Sequence, residues 1–299
     1  MDGFQERRLD VDGTDTRILI GGKAGAPATL FLHGGIPGVT PYCSGAHIWG
    51  DCPAAFRDRA VIVPDLPGSG GTVHDSQPLT MDRLGEHVMA MLPALSLDSV
   101  DVIGHDLGGL IGVWMALSYP SRVRSLSIVA SPMCPPTADG LDNILLASPP
   151  QPLWSRESQA WALDRLSHVH AHIDAPLLDA CVASSLGEAH RKAVEYMKQN
   201  YARTFAPAMN RVRYRLWDAC RNDGLQVPTQ IVWASHDPAT SRESASVLFT
   251  AISGRQKASQ MHIINRSGSF PFREQLAAFH HIVASFADGV LEERSQAMA

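Results

Sequence analysis

Gly104-His105-Asp106-Leu107-Gly108-Gly109 closes a short β-branched run, Ser99-Val100-Asp101-Val102-Ile103, and opens the apolar stretch Leu110-Ile111-Gly112-Val113-Trp114-Met115-Ala116-Leu117. A strand that becomes a helix within so few residues needs small side chains on both sides of the turning point, and Gly104 and Gly108 supply them. The residue between is pressed into a strained conformation at the helix N-terminus. There the dipole and unpaired N–H groups favour negative charge. The spacing is that of a nucleophile elbow with Asp106 at its centre, where Ser is more usual.

Working outward, the same alternation recurs. Ala28-Thr29-Leu30-Phe31-Leu32, Ala60-Val61-Ile62-Val63, Arg124-Ser125-Leu126-Ser127-Ile128-Val129, Thr229-Gln230-Ile231-Val232-Trp233 and Gln260-Met261-His262-Ile263-Ile264 each read as a strand ending in a polar turn. With amphipathic stretches between them they predict an α/β fold built on a mostly parallel sheet flanked by helices. The ends of such strands are where open α/β sheets bind ligands. Between Pro132 and about Val227 the strand signal stops, prolines mark the joints, and helical periodicity takes over. Leu178, Val182 and Leu186 form one predicted apolar face, and Val212, Leu216 and Ala219 another. The expected organisation is a core of residues 1–132 and 227–299 with a helical cap over residues 133–226.

Upstream of the elbow, the first predicted parallel strand runs into His33-Gly34-Gly35-Ile36-Pro37-Gly38. Taken with the elbow, this turn makes the chain resemble the α/β-hydrolase superfamily over essentially its whole length. His-Gly-Gly-x-Pro-Gly is similar to the oxyanion turn of meta-cleavage-product (C–C bond) hydrolases. Gly-His-Asp-x-Gly-Gly is similar to the elbow of epoxide hydrolases and dehalogenases. The resemblance implies an α/β-hydrolase fold and an oxyanion hole made by the backbone N–H groups of Gly35 and Leu107, whose task is to donate to an oxygen gaining charge. Leu107 speaks against a haloalkane dehalogenase, which typically carries Trp there.

Trp233-Ala234-Ser235-His236-Asp237-Pro238 places Asp237 at the family's acid position, or as a turn-capping residue before proline. The base belongs after the last strand, in Asn265-Arg266-Ser267-Gly268-Ser269-Phe270-Pro271-Phe272-Arg273-Glu274-Gln275. There Ser269 stands where the resemblance expects the catalytic histidine. A carboxylate nucleophile forms an ester that a histidine-activated water then cleaves, and a serine hydroxyl, unionised near neutral pH, is no base. A standard enzyme of this type with Ser269 stalls as its ester, and a Ser-His-Asp esterase lacks both nucleophile and base. His33 and His105 brace turns in the families resembled. His262 lies in a strand, and His280 and His281 lie in the closing helix.

Composition bounds the function. The 299 residues are 45% hydrophobic and 18% charged with net charge −5, a globular make-up without the basic surplus that nucleic acid demands. Five scattered cysteines, Cys43, Cys52, Cys134, Cys181 and Cys220, form neither a disulfide framework nor a zinc motif. Met1–Arg8 lacks the apolar core of a signal peptide and no run reaches membrane-spanning length. We expect a cytoplasmic, cofactor-free enzyme with a small-molecule partner, no nucleic acid and no membrane, a homodimer being left open. No metal is expected, although His168-Val169-His170-Ala171-His172 offers three imidazoles if extended.

The reading commits to Asp106, Asp237 and Ser269 as catalytic residues, Gly35 and Leu107 as oxyanion donors, and Trp154, Trp161 and Phe270 as substrate contacts. Arg211, Arg213 and Arg215 are expected on solvated or salt-bridged faces. The activity expected is hydrolysis (C–C, ester or epoxide) of a small, partly apolar molecule. The alternatives are a lyase, isomerase or cyclase using Asp106 for proton transfer with Ser269 as a hydrogen-bond donor, a catalytically dead binding protein, and an engineered chain in which Ser269 replaces a histidine.

Overall fold

The computed structural model describes residues 3–74, 78–136 and 144–298. The six β-branched runs become β3 (Ala28–Leu32), β4 (Ala60–Pro64), β5 (Val100–His105), β6 (Val123–Val129), β7 (Thr229–Ala234) and β8 (Ser259–Ile264). Two further strands precede them, β1 (Gln5–Val11) and β2 (Thr14–Gly22), joined by Asp12 and Gly13, both left-handed (φ 49° and 83°). An Asp-Gly pair between two runs signals a tight hairpin. The charged outward residues of β1 blur its alternation, and the sequence reading passed over it.

The eight strands form one sheet in the order β1-β2-β4-β3-β5-β6-β7-β8, with β1 antiparallel to β2, β2 antiparallel to β4, and every other pair parallel. Period-two alternation splits the core between the two faces. Leu30, Leu32 and Val102 pack in one layer with Leu110, Ile111 and Leu126. Phe31, Ile103 and Val129 pack in the other with Trp49, Phe272 and Phe279.

Helix α1 (Met81–Ala94) is capped by the Thr80 side chain, which accepts from the Arg83 amide. Helix α2 (Leu107–Ser118) is buried along most of its length, as an apolar stretch without a polar face must be. At the end of the sheet remote from the elbow, near the starts of the central strands β5 and β6, Asp101 is buried between two guanidinium groups. It accepts from Arg59 at 2.9 Å, Arg124 at 2.8 Å and the Ser125 hydroxyl at 2.7 Å.

Between β6 and β7 lie α3 (Arg156–Leu166), α4 (Ala175–Leu186), α5 (Glu188–Asn200) and α6 (Ala206–Arg221), with a widened turn at Tyr201–Phe205 joining the last two. Ser155 and Asp174 cap α3 and α4 by accepting backbone N–H groups. Helix α6 packs on α1 and α2 and shares their apolar layer through Ala208, Val212, Leu216 and Cys220. The predicted faces shift in detail. In α4 the buried residues are Leu177, Cys181 and Ser184, while Leu186 is 75% exposed. In α6, Cys220 rather than Ala219 continues the Val212–Leu216 row. Helix α7 (Arg242–Ser253) bridges β7 to β8, and α8 (Leu276–Met298) closes the chain. No helix among the described residues is long and apolar enough to cross a membrane.

Candidate active site

Strand β5 delivers Asp106 at φ 50° and ψ −115°, a conformation that a non-glycine residue keeps only under external constraint. Close packing supplies that constraint. A Cβ on Gly104 would stand 2.3 Å from the Gly108 carbonyl oxygen, and one on Gly108 only 2.0 Å from that of Leu32. The Ser131 hydroxyl, just past β6, donates to the Asp106 backbone carbonyl at 2.7 Å. The turn after β3 comes down beside the elbow, and there the Gly35 N–H donates to Asp106 Oδ2 at 2.7 Å. One carboxylate oxygen is therefore already held by a group that the family resemblance implies for oxyanion stabilisation. Leu107 opens α2, so its amide is one of those left without an intrahelical acceptor at the helix start.

Past β8, the Ser269 hydroxyl donates to Asp237 Oδ1 at 2.7 Å, and the Ala239 N–H donates to the same oxygen at 3.0 Å. The Asp237 carboxyl is enclosed, with Oδ2 shielded from solvent, and this burial pushes its pKa up to about 7. The Ser269 hydroxyl and the Ala239 amide pull the other way, and the nearby Asp106 charge adds to the rise. That value is close to an ordinary imidazole's. The sequence reading weighed Ser269 as a lone hydroxyl. The structure gives it a carboxylate partner whose affinity for a proton matches that of the missing ring.

Neither nearby histidine replaces that ring. His33 accepts from the Leu66 N–H through Nε2 at 3.0 Å, with Nδ1 toward the Gly34 carbonyl and the Ser44 hydroxyl. His105 Nε2 lies 2.9 Å from the Ser269 carbonyl oxygen, which can only accept, so this nitrogen carries the proton. Burial lowers the His105 pKa to about 3 and keeps the ring neutral. Both histidines fix backbone: His33 the loop after β4, His105 the loop that carries Ser269.

Asp106, Ser269 and His105 face a cavity of about 240 Å³, with Ile36, Thr40, Tyr42, Ala130, Pro132, Met133, Leu146, Leu166, Tyr201 and Ala239 also on its walls. Leu146, Leu166 and Tyr201 come from the segment between β6 and β7. None of the three expected substrate contacts lines this cavity, although Trp154 lines the adjoining groove with Lys198 and Arg203. Trp154 donates its indole N–H to the Thr40 carbonyl at 2.9 Å and stacks edge-on with His190. Trp161 is covered by the Arg165 guanidinium 4.6 Å from its ring centre. Phe270 is fully buried behind the wall, edge-on to Tyr42 and tilted against His105. Trp154 precedes α3, which carries Trp161, so the two do not share a helix face. Thr40 and Tyr42 continue the His-Gly-Gly turn, so that motif's neighbourhood could have pointed to them. Nothing in the sequence marks Met133, Leu146 or Tyr201.

The cap histidines disperse among separate partners. His168 stacks on His236, His170 meets Asp164 at 2.7 Å, and His172 contacts the Ser167 hydroxyl and the Arg273 guanidinium. Among the described residues no group of three or more His, Cys, Asp or Glu is placed to hold a metal ion. Arg211 pairs with Asp82 at 3.6 Å, Arg213 donates to the Pro135 carbonyl, and Arg215 donates to the Ser118 hydroxyl, all outside the cavity.

A family profile described as alpha/beta hydrolase fold matches residues 28–274, from β3 through Ser269 and the turn after it. The chain belongs to the alpha/beta hydrolase fold family. As an α/β-hydrolase-fold enzyme it aligns at 27% identity over 274 residues with 2-hydroxy-6-oxo-2,4-heptadienoate hydrolase of Pseudomonas putida, covering 88% of this chain and 89% of the relative. It aligns at 24% over 266 residues with 2-hydroxymuconate semialdehyde hydrolase of a Pseudomonas species, covering 88% and 87%. The solved meta-cleavage product hydrolase of Pseudomonas fluorescens IP01 superposes with TM-score 0.74 at 19% identity, covering 95% and 97%, a likeness of fold.

Proposed function

We propose that this α/β-hydrolase-fold enzyme hydrolyses a small, partly apolar molecule through a covalent ester on Asp106. The observation that carries the reading is the Gly35 N–H on Asp106 Oδ2. It polarises one carboxylate oxygen and orients the other toward an electrophilic carbon in the cavity. Attack forms the C–O bond as the carbon's bond to its leaving atom breaks. An epoxide suits these walls. Its oxygen remains on the substrate and needs a proton, and Tyr201 brings a phenol to the cavity from the helical segment.

The ester then needs water. A water molecule attacking Asp106 Cγ passes a proton to Ser269 Oγ as the Ser269 proton moves to Asp237. The oxyanion forms on Oδ2, under the Gly35 N–H and beside the Leu107 amide. Collapse of the tetrahedral species releases the product alkoxide. That alkoxide takes the proton back from Asp237 through Ser269, and Asp106, left as a carboxylic acid by the second water proton, returns that proton to the Tyr201 phenolate formed in the first step, so that both groups end as they began. Ser269 thus relays the proton and Asp237 receives it.

The test is intact-protein mass spectrometry after exposure to small epoxides and alkyl electrophiles, together with turnover in ¹⁸O water. The expected result is an adduct on Asp106, accumulating in Ser269→Ala, and ¹⁸O entering the Asp106 carboxylate during turnover. The lack of an imidazole favours a second reading, proton transfer at Asp106 in a lyase, isomerase or cyclase. That chemistry gives turnover with neither adduct nor isotope.

A further inference from the structure

We infer that the elbow cavity admits the reacting end of its substrate only where that end carries no anionic group, so that carboxylates and phosphates are turned away. The inference rests on reading this cavity as the substrate site.

Asp106 forms part of the wall, and Asp237 lies one hydrogen bond behind Ser269, so negative charge is concentrated on one side of a small space. No lysine or arginine lines the cavity among the described residues. The residues outside the described ranges (1–2, 75–77, 137–143 and 299) contain no Lys, Arg or His in the sequence, so none of them can supply a cation. His105 is the only imidazole on the wall, and its buried ring stays neutral because its pKa lies near 3. The remaining walls are mostly aliphatic and aromatic. An anion entering here sheds its water without gaining a counter-charge and faces a fixed carboxylate through a low-dielectric space, which disfavours binding on both counts.

Two cations stand just beyond the boundary. Lys198 and Arg203 line an adjoining, more open groove that shares only Val39 and Tyr201 with the cavity. A negative group therefore finds a partner outside that pair of side chains and none inside it. A substrate longer than the cavity carries its charge at the far end.

Inert probes separate this inference from the chemistry proposed above, because they bind without reacting. Benzamide and benzoate share a rigid shape short enough to keep the amide or carboxylate inside the cavity. Binding to the whole protein at pH 8, followed by calorimetry and by ligand NMR, should favour benzamide at least tenfold. In Asp106→Asn the gap should narrow by a gain in benzoate binding, with benzamide changed little. Equal or tighter binding of benzoate overturns the inference, as does failure of benzamide to bind at millimolar concentration. Preference for the amide without any covalent adduct in the mass experiment sinks the Asp106 ester and leaves the charge selectivity standing.

Discussion

Ser269 Oγ stands 2.7 Å from Asp237 Oδ1, in the place where the family resemblance calls for an imidazole bonded to the same acid. A hydroxyl in that position moves a proton only if its partner can take one, and burial has raised Asp237 to a pKa of about 7.

Ser269→Ala should therefore slow turnover by about 10²-fold, the lower end of what general acid–base help contributes, while single-turnover ester formation keeps its rate. Ser269→Thr should recover much of the loss. The relay needs Asp237 ionised, so in the parent the rate should climb with pH through about 7 and level off above it. Stopped-flow and steady-state rates from pH 5 to 9 check this. A flat profile in the parent would remove Asp237 from the relay.

The same carboxyl makes stability pH-dependent in the opposite sense. Its folded pKa of about 7 exceeds the ordinary 3.8, so between those values the folded chain holds a proton that the unfolded chain has lost. Stability falls as pH rises across this window, by about 4 kcal/mol at most, and the loss is complete above pH 7. Asp237→Asn keeps the shape and removes the ionisation. Its melting temperature should exceed the parent's at pH 8, and the difference should vanish near pH 4, even though the variant is inactive.

How much of this was legible in the sequence depends on how local each signal was. The elbow and the six core strands were readable because glycine spacing and β-branched runs are statements about consecutive residues. The β1–β2 hairpin was marked only by Asp12-Gly13 between charged strands. Asp106, Asp237 and Ser269 could be named from their places after β5, β7 and β8. The bond between Ser269 and Asp237 could not, because it spans 32 residues and depends on how β7 and β8 pair. The walls were least visible. Thr40, Leu146, Leu166 and Tyr201 carry no motif, and the bulky Trp154 and Trp161 drew the expectation away from them.

At the other end of β5, Asp101 accepts from Arg59, Arg124 and Ser125 while only 2% exposed. Asp101→Ala removes the carboxylate that Arg59 and Arg124 share, leaving Arg59 its pair with Asp288 and Arg124 its bonds to the Ser99 and Ala28 carbonyls, and should cost about 3 kcal/mol of stability. Measured well below its lowered melting temperature, its turnover per folded molecule should match the parent's. Denaturant titration with active-site counting checks both halves.

Gly34→Ala is the converse case. An added Cβ would lie 2.5 Å from Asp106 Cβ and 2.8 Å from Asp106 Oδ2, where nothing can yield without moving the carboxylate off the Gly35 N–H. Turnover should fall at least a hundredfold, with the melting temperature lowered by only a few degrees. Full activity in this variant would separate the Gly35–Asp106 bond from catalysis.

Val129 ends β6 while Thr229, which begins the parallel β7, lies opposite Leu126, so the whole helical excursion leaves and re-enters the sheet at points three residues along and one strand across, about 11 Å apart. Its last helix, α6, packs on α1 and α2, and the stretch before it is tied down as well, the Ser269 N–H donating to the Leu166 carbonyl at 2.8 Å and the Cys43 N–H to the Gln159 side chain at 2.8 Å. Asp106, Asp237 and Ser269 are all placed by the sheet, and none belongs to that stretch. The roof over the cavity is therefore only partly a separate cassette: descendants of this chain can rewrite side chains such as Leu146 to trade one admitted molecule for another, while Tyr201 and the Leu166 backbone stay tied to the machinery beneath.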